Sequence, residues 1–339
     1  MGVDRLAGPP RVAGSVAELF GRPVFGEPVV SGDGKTGARL ERVTVDGQAY
    51  VLKHLHHSDD WIMRATGDHG HRAVAVWRDG WLEEISPSID HAVVAAAWDE
   101  RPDGRGAVLV MRDVGDHLVP EGDAEMPLEQ HQAFIEHMAV LHATFWERVA
   151  TPELLPLATR LTFFGPLLAE AERARGGTDP VPTQLVPEGW ARLQERAPQA
   201  AQIVAGLLED PVPLVTALDT TPKTLVHGDF KAGNLGSHPD GRTILIDWAM
   251  PGIAAPCSDL AWYVCLNQAR LPETKHATME RYRQALERHG IDTEPWWDHQ
   301  CALSLLGAFL QFGWEKALGD DEELDWWQAR ALEGMRRLR

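Results

Sequence analysis

Residues 225–248 read LVHGDFKAGNLGSHPDGRTILIDW, and the interpretation of the whole chain starts from this stretch. It contains the pattern H-x-D-x4-N at His227, Asp229 and Asn234, and Asp247 follows 13 residues after Asn234 at the end of an apolar run. Phosphoryl transfer from ATP needs a divalent metal ion on the phosphate oxygens, a carboxylate near the attacking hydroxyl and cations on the developing charge. The spacing predicts that groups of these kinds meet at one site.

Each polar side chain of this stretch has a predicted role. Asp229 would orient and deprotonate the acceptor hydroxyl, and Lys231 would contact the γ-phosphate. Asn234 and Asp247 would hold Mg²⁺, which prefers hard oxygen ligands, and His227 would brace the loop through backbone hydrogen bonds. The alternative is a polar turn that carries these residues by chance. Only two Asn occur in 339 residues, which disfavours that alternative.

Composition excludes several classes of function. The chain has 32 Lys and Arg against 50 Asp and Glu, and this net charge of −18 argues against binding to the nucleic-acid backbone. No apolar run reaches the ~18 residues that a membrane helix needs, and the N-terminal residues lack the apolar core of a signal peptide. We therefore expect a cytoplasmic protein whose partner is neither a nucleic acid nor a membrane.

A glycine-rich segment precedes the first clear strand. Gly32, Gly34 and Gly37 form G-x-G-x-x-G, but a P-loop would need Gly where Val29 stands. A dinucleotide-binding fingerprint would need a helix next, whereas residues 40–45 alternate like a strand. Two interpretations stay open, a turn that covers nucleotide phosphates and a plain turn.

The first third of the chain is predicted to consist mostly of strands and turns. Residues 40–45 and 49–55 flank Asp46-Gly47, which is a strong signal for a β-hairpin. Lys53 lies in the second of these strands, from which its ammonium group would reach the α- and β-phosphates; the alternative is a solvent-facing Lys. Only six of the 32 cationic residues are Lys, which favours the first interpretation. A second pair of strands is predicted at 92–98 and 107–111.

Beyond Asp113 the pattern becomes helical. Apolar residues recur at helical spacing after Pro127, and strand character returns only at 224–226 and 243–246. Further helices are predicted at 187–208, 258–268, 275–289, 294–318 and 322–338. We expect residues 1–113 to form a nucleotide-covering N-terminal lobe and residues 114–339 to form a helical catalytic and acceptor-binding lobe.

These motifs resemble the aminoglycoside phosphotransferase family, the small-molecule kinases of the protein-kinase-like fold. The resemblance spans about residues 20 to 320, with Gly228 where protein kinases usually have Arg. It implies an α+β, two-lobed fold with a small antiparallel-sheet N-lobe and a larger helical C-lobe, and the cofactors ATP and Mg²⁺. It also implies that Asp259 steadies the catalytic loop and that the strand-to-hinge passage around Met111 and Asp113 receives adenine.

One feature of the family is missing from the sequence. The family usually carries a Glu on the helix after the Lys strand, where it pairs with that Lys. The best alignment of this helix puts Ala73 at that position. Asp68, Glu83 and Glu84 are the substitutes that the sequence offers.

The resemblance also implies that the acceptor lies between the catalytic loop and the C-terminal helices. That region contains several Trp and acidic residues, namely Trp262, Trp296, Trp297, Trp314, Glu315, Asp320, Asp321, Glu322, Glu323, Asp325, Trp326 and Trp327. An acidic pocket with Trp would suit an amine-rich sugar or a quaternary amine. The alternative is that the Trp residues are helix-packing core and the acidic run is a solvated helix start.

The leading hypothesis is an ATP-dependent kinase that phosphorylates a hydroxyl of a small molecule, of aminoglycoside, sugar or amino-alcohol type, for which a cationic compound is one candidate. The alternative is a nucleotide-binding pseudokinase with a regulatory role, which the apparent Ala73 departure suggests. A protein kinase is disfavoured by Gly228 and by the short route from Asp247 to Asp259.

Overall fold

The computed structural model describes residues 10–29, 38–148, 151 and 153–338. Gly32, Gly34 and Gly37 lie outside these residues, so the proposed phosphate-covering turn stays a prediction.

The N-terminal part is built on a six-stranded sheet of order β1-β6-β7-β4-β3-β2, in which every neighbouring pair is antiparallel except β1 and β6. Its strands are β1 (Val12–Ala13), β2 (Glu27–Pro28), β3 (Leu40–Val45), β4 (Gln48–Leu55), β6 (Val93–Arg101) and β7 (Gly104–Arg112). The short strand β5 (Ile89–Asp90) and the helices α1 (Val16–Phe20), α2 (Trp61–Ala65) and α3 (Arg72–Arg78) lie between them in sequence.

Both predicted hairpins are present. β3 and β4 are joined at Asp46 and Gly47, whose φ angles of 52° and 83° suit the tight turn that matches the twist of the strands. The β6–β7 turn is tighter than the predicted loop over 99–106, because both strands continue in register to the pair Arg101 and Gly104. Charged residues extend these strands because their side chains pair across them, as in Arg105 with Glu100.

The C-terminal part is mostly helical. Its helices are α4 (Leu128–Thr144), α5 (Leu157–Thr162), α6 (Leu167–Ala174), α7 (Val186–Arg196), α8 (Pro198–Glu209), α9 (Val212–Asp219), α10 (Cys257–Leu266), α11 (Lys275–Arg288), α12 (Trp297–Leu318) and α13 (Asp321–Arg337). The single helix predicted at 187–208 is two helices, because Pro198 cannot continue α7 and instead begins α8. Almost all of α12 is buried, and α7, α10 and α13 pack around it.

Four short strands interrupt the helices: β8 (Thr224–Val226), β9 (Leu235–Ser237), β10 (Thr243–Leu245) and β11 (Gly252–Ala254). β8 pairs with β11, while β10 pairs with β9 and with β5. The loop 227–234 therefore leaves one buried strand, and residues 246–247 leave another. This arrangement brings the two halves of the motif at 225–248 together.

No single helix in the described part of the chain is long and apolar enough to cross a membrane, and one bent pair, α8 with α9 at 83°, passes that test by length and composition only.

Candidate active site

A cavity of about 700 Å³ lies between the sheet and the helical part. The predicted catalytic, nucleotide-binding and metal-binding residues that the structure describes all line it: Lys53, Met111, Asp113, Asp229, Lys231, Asn234 and Asp247. Residues that are up to 194 positions apart in sequence thus meet in one cavity.

The Asp229 carboxylate is held by donors on both of its oxygens. Oδ2 accepts a hydrogen bond from Asn234 Nδ2 at 2.8 Å and lies 3.2 Å from Lys231 Nζ. Oδ1 accepts one from Trp262 Nε1 at 3.0 Å. Asn234 Nδ2 also donates to the Asp229 carbonyl oxygen, so Oδ1 is the Asn234 atom that can serve as a metal ligand. Asp229 itself is 14% exposed and faces the cavity.

Buried polar groups fix the backbone of the loop before Asp229 through hydrogen bonds. Asp259 accepts hydrogen bonds from the backbone N–H groups of His227 at 2.7 Å and Gly228 at 2.9 Å. Burial raises the pKa of Asp259, but the hydrogen bond from His142 and nearby positive charge outweigh burial and keep that pKa below its usual range. His227 Nε2 donates to the Ile246 carbonyl and Nδ1 accepts from Asp229 N–H, while burial lowers the pKa of His227. His227 is thus a neutral brace that joins the two halves of the motif.

Gly228 is required by its surroundings. Its φ is +86°, and a Cβ atom there would overlap the Met250 carbonyl oxygen and the guanidinium of Arg160. The space that a side chain at this position would take is occupied by Arg160, which reaches the loop from α5.

Asp247 forms an ion pair with Lys53, with 2.6 Å between Lys53 Nζ and Asp247 Oδ1. Burial raises the pKa of Asp247, but the charge and hydrogen bond of Lys53 and the charge of Lys231 hold that pKa below its usual range. Asp247 also has a φ of +67°, which is uncommon for a residue other than Gly or Asn and is often found at functional sites.

None of the three suggested substitutes pairs with Lys53. Asp68 accepts hydrogen bonds from Arg72 N–H at the start of α3, Glu84 pairs with Arg148, and Glu83 is exposed. The helix at the position of the family's Glu offers no carboxylate to Lys53, because α3 carries only apolar residues and Arg, and Ala73 is buried in it. The partner of Lys53 is Asp247 instead.

The hinge side of the cavity is formed by the end of β7 and the residues after it. Met111 and Asp113 both line it, and the Asp113 side chain is engaged by Arg42 Nε at 2.6 Å and by Gly115 N–H at 3.2 Å. A nucleotide at this edge would therefore meet the paired Arg42 and Asp113 side chains rather than a single charged side chain.

The other end of the cavity is aromatic. Of the Trp and acidic residues considered for the acceptor, only Trp262, Trp314 and Glu315 line the cavity, and Phe163, Phe164 and Phe312 accompany them. The other four Trp pack among the helices, and the acidic run begins α13, where Asp320 is the N-cap. The alternative to an extended acidic pocket therefore fits these residues better, and Asp321 pairs with Arg196 and Glu323 with Lys275.

Two polar atoms at this aromatic end are buried and have no hydrogen-bond partner among the described residues. They are Trp314 Nε1 and Glu315 Oε2, the latter 4.0 Å from Lys316 Nζ. Buried polar atoms are almost always paired, so these two are exceptions at this end of the cavity.

The residues that could hold a metal ion are few. The described part of the chain has no cluster of three or more His, Cys, Asp or Glu side chains suited to a metal. Asp247 and Asn234 provide a carboxylate and an amide oxygen on the same cavity wall. Two hard oxygen donors fit Mg²⁺, which usually takes its other ligands from water and substrate phosphates.

Sequence reasoning missed three residues of the site. Arg160 and Arg42 reach it from elements that no motif marks, and Asp60, the N-cap of α2, is buried close enough to Lys53 for their charges to interact. The one signal for Arg160 was indirect, the Gly at position 228.

The sequence model of the phosphotransferase enzyme family (APH) matches residues 41–294. No curated protein sequence matches the chain significantly.

Among solved structures, choline kinase LicA from Streptococcus pneumoniae is 12% identical with a TM-score of 0.50, covering 95% of each chain. Choline kinase from Cryptosporidium parvum Iowa II is 12% identical with a TM-score of 0.52, covering 93% of this chain and 88% of that one. LicA has also been solved with AMP, at 13% identity and a TM-score of 0.50, covering 93% and 91%. These likenesses confirm the α+β, protein-kinase-like fold; the division at residue 113 stays a prediction.

Proposed function

This chain belongs to the phosphotransferase enzyme family, and we propose that it transfers the γ-phosphate of ATP to a hydroxyl group of a small molecule. The observation that carries this proposal is the meeting of Lys53, Asp229, Lys231, Asn234 and Asp247 in one cavity. These side chains supply the carboxylate, the cations and the metal-binding oxygens that phosphoryl transfer needs.

Each residue has a place in the transfer. Asp229 accepts a hydrogen bond from the acceptor hydroxyl, orients its oxygen towards the γ-phosphorus and takes its proton as the new bond forms. Lys231, beside Asp229, stabilises the charge on the transferred phosphoryl group, and Lys53 binds the α- and β-phosphates. Asn234 and Asp247 would hold Mg²⁺, which neutralises the phosphate oxygens when it is bound.

ATP is the proposed donor, and the hinge end of the cavity supports it. Met111 lies near the end of β7 and Asp113 directly after it, and both line that end of the cavity. The complex of LicA with AMP shows an adenine nucleotide bound to a protein of this fold. Gly32, Gly34 and Gly37 would cover the phosphates.

The acceptor is proposed to be a small hydroxyl compound with a cationic amino group. The carboxylate of Glu315, whose side chain is 34% exposed, would accept a hydrogen bond from that amine, and the face of Trp314 would attract its charge. Among the described residues, Glu315 is the carboxylate that accompanies these aromatic side chains, and this favours a compact monoamine over a compound with many amines. The choline kinases among the similar folds are named for a compound of that kind.

The test is an acceptor screen with purified protein, Mg²⁺ and ATP. Choline, aminopropanol, hygromycin B and simple sugars would be offered, ADP release measured, and phosphorylated product confirmed by a mass gain. We expect turnover with at least one amine-bearing acceptor, its loss in Asp229→Asn, and no loss in Asp240→Asn, a matched change at an exposed Asp outside the cavity. Chelation of Mg²⁺ should stop turnover.

The same screen, combined with a thermal-shift assay, distinguishes this proposal from the pseudokinase alternative. A thermal shift with Mg²⁺ and ATP but no product from any acceptor would contradict the proposal and favour a pseudokinase.

A further inference from the structure

Arg160 is a buried cation beside the catalytic loop. Its side chain is 2% exposed, and no carboxylate of the described residues lies within ion-pair distance of it. Its Nη2 instead donates to the Gly228 carbonyl at 2.6 Å, and its Nη1 donates to the Met250 carbonyl at 3.3 Å. Burying a guanidinium is unfavourable, and the nearby charges of Asp259 and Asp229 offset part of that cost.

The guanidinium of Arg160 also covers one face of Trp262. Its Cζ lies 4.8 Å from the centre of the Trp262 ring, and Phe312 packs against that ring edge-on at 4.7 Å. A cation over an indole draws electron density from the ring and makes its N–H a stronger donor. That N–H is the one that donates to Asp229 Oδ1.

The hydrogen bonds of Asp229 then identify which oxygen is available to the acceptor. Each carboxylate oxygen has two acceptor positions, and those of Oδ2 are used by Asn234 and Lys231. Within the described residues Oδ1 accepts one hydrogen bond, from Trp262, and keeps its second position.

We propose that Arg160 and Trp262 are positioning residues that hold the Asp229 carboxylate so that Oδ1 receives the proton of the acceptor hydroxyl. The inference rests on the proposed phosphotransfer and adds two residues to it. Arg160 fixes the backbone just before Asp229 through the Gly228 carbonyl, and it orients the side chain through Trp262. Gly at position 228 leaves the space that this contact from α5 occupies.

The contact can be tested by ¹H–¹⁵N NMR of the indole N–H groups, without knowledge of the acceptor. Trp262→Phe identifies the Trp262 signal by its disappearance. We expect Asp229→Asn to move that signal upfield, because a neutral amide oxygen is a weaker acceptor than a carboxylate. Arg160→Lys should move it too, since Lys keeps the charge but loses the planar face and has one donor nitrogen in place of two.

Trp327 supplies a matched reference. Its indole N–H donates to a carboxylate as well, to Glu323 Oε1 at 2.6 Å, but on α13. Its signal should stay in place in Asp229→Asn and Arg160→Lys. A Trp262 signal that stays in place in Asp229→Asn would overturn the proposal.

A kinetic measurement shows whether the contact matters for transfer. The probe is the hydrolysis of Mg²⁺-ATP, measured as ADP release with water as the acceptor. It can be applied to every variant without knowledge of the natural acceptor. Trp262→Phe keeps a ring for Phe312 and Arg160 but loses the N–H, so we expect kcat to fall by about 10- to 100-fold with the KM for ATP unchanged.

Trp327→Phe is the kinetic control, and its kcat should match that of the unaltered protein. A Trp262→Phe variant that turns over as fast as Trp327→Phe, or that loses affinity for ATP instead of kcat, would contradict the proposal. A Trp262 signal that responds to Asp229→Asn in a protein that phosphorylates nothing would support the positioning contact and contradict the proposed function. The two failures are therefore distinguishable.

Discussion

At the scale of single residues, the pair of Lys53 and Asp247 joins the two parts of the molecule. Asp247→Asn leaves Lys53, which is 7% exposed, without its partner, and Asn tolerates the left-handed backbone at this position. We expect the free energy of unfolding to fall by about 1–3 kcal/mol, measured by urea denaturation.

The double variant Lys53→Met with Asp247→Asn serves as the control, because it removes both charges. Its loss of stability should be smaller than the sum of the two single losses by about 1 kcal/mol or more. Additive losses would show that the pair contributes no coupling.

Gly228 gives a second prediction at this scale. Gly228→Ala adds a Cβ that overlaps the Met250 carbonyl and Arg160, at a backbone angle that disfavours any side chain. We expect a loss of about 3 kcal/mol or more in stability, together with loss of turnover.

Gly241→Ala is the matched change, since Gly241 has a φ of +91° but open space around its Cβ position. It should lower stability by only about 1 kcal/mol, the strain of the backbone alone, and leave turnover intact. Equal losses in the two variants would mean that crowding at Gly228 contributes nothing.

At the scale of elements, α7 and α12 approach each other closely at a glycine. A Cβ at Gly189 would overlap the backbone of Trp314, whose side chain lines the aromatic end of the cavity. Gly189→Ala should separate the two helices, lower the melting temperature and raise the KM for the acceptor more than the KM for ATP. Gly206→Ala on α8, where the added methyl meets no atom within 4 Å, should instead raise stability by about 0.5–1 kcal/mol. A stabilising effect of Gly189→Ala would contradict the close crossing.

Periodicity predicted the long elements and failed on the short ones. The Asp46-Gly47 hairpin and the helices from α10 to α13 follow from turn chemistry and apolar spacing alone. α5, α6 and α9 have only six to eight residues, and helices so short form because they pack against others. That packing is not visible in a local pattern.

The residues of the candidate site also fall into those that the local sequence predicts and those that it does not. Asp229, Lys231, Asn234 and Asp247 lie within 19 residues, so their spacing alone indicated the chemistry. The partner of Lys53 is 194 residues away, and none of the substitutes that the nearby sequence offered pairs with it. Arg160 could not be assigned either, because its contacts depend on how α5 packs beside the loop.

At the scale of the whole molecule, buried histidines predict sensitivity to acid. Burial is the main cause that lowers the pKa of His54, His57, His71, His91, His131, His137 and His227. The pKa of His91 falls to about 4. The unfolded chain takes up these protons near pH 6.5 but the folded chain only at lower pH, so stability should fall as pH decreases below 6.5.

His91 gives this prediction a single-residue control. Its proton uptake alone should remove up to about 3 kcal/mol of stability between pH 6.5 and 4. His91→Asn keeps a side-chain acceptor for Val93 N–H, as His91 Nδ1 does, but does not titrate. The free energy of unfolding, measured by urea denaturation from pH 7 to pH 4, should decline less steeply for this variant than for the unaltered protein. An unchanged pH dependence would contradict the assignment of this effect to His91.

The Lys53–Asp247 pair also has a consequence for how ligands bind. In the free protein these two charges satisfy each other, so a nucleotide that engages Lys53 releases Asp247, and a cation that engages Asp247 releases Lys53. Each ligand therefore frees the residue that the other needs, and linkage requires the two affinities to rise together. We expect positive cooperativity between magnesium and ATP in the unaltered protein, and a smaller effect once Lys53 is replaced by Met.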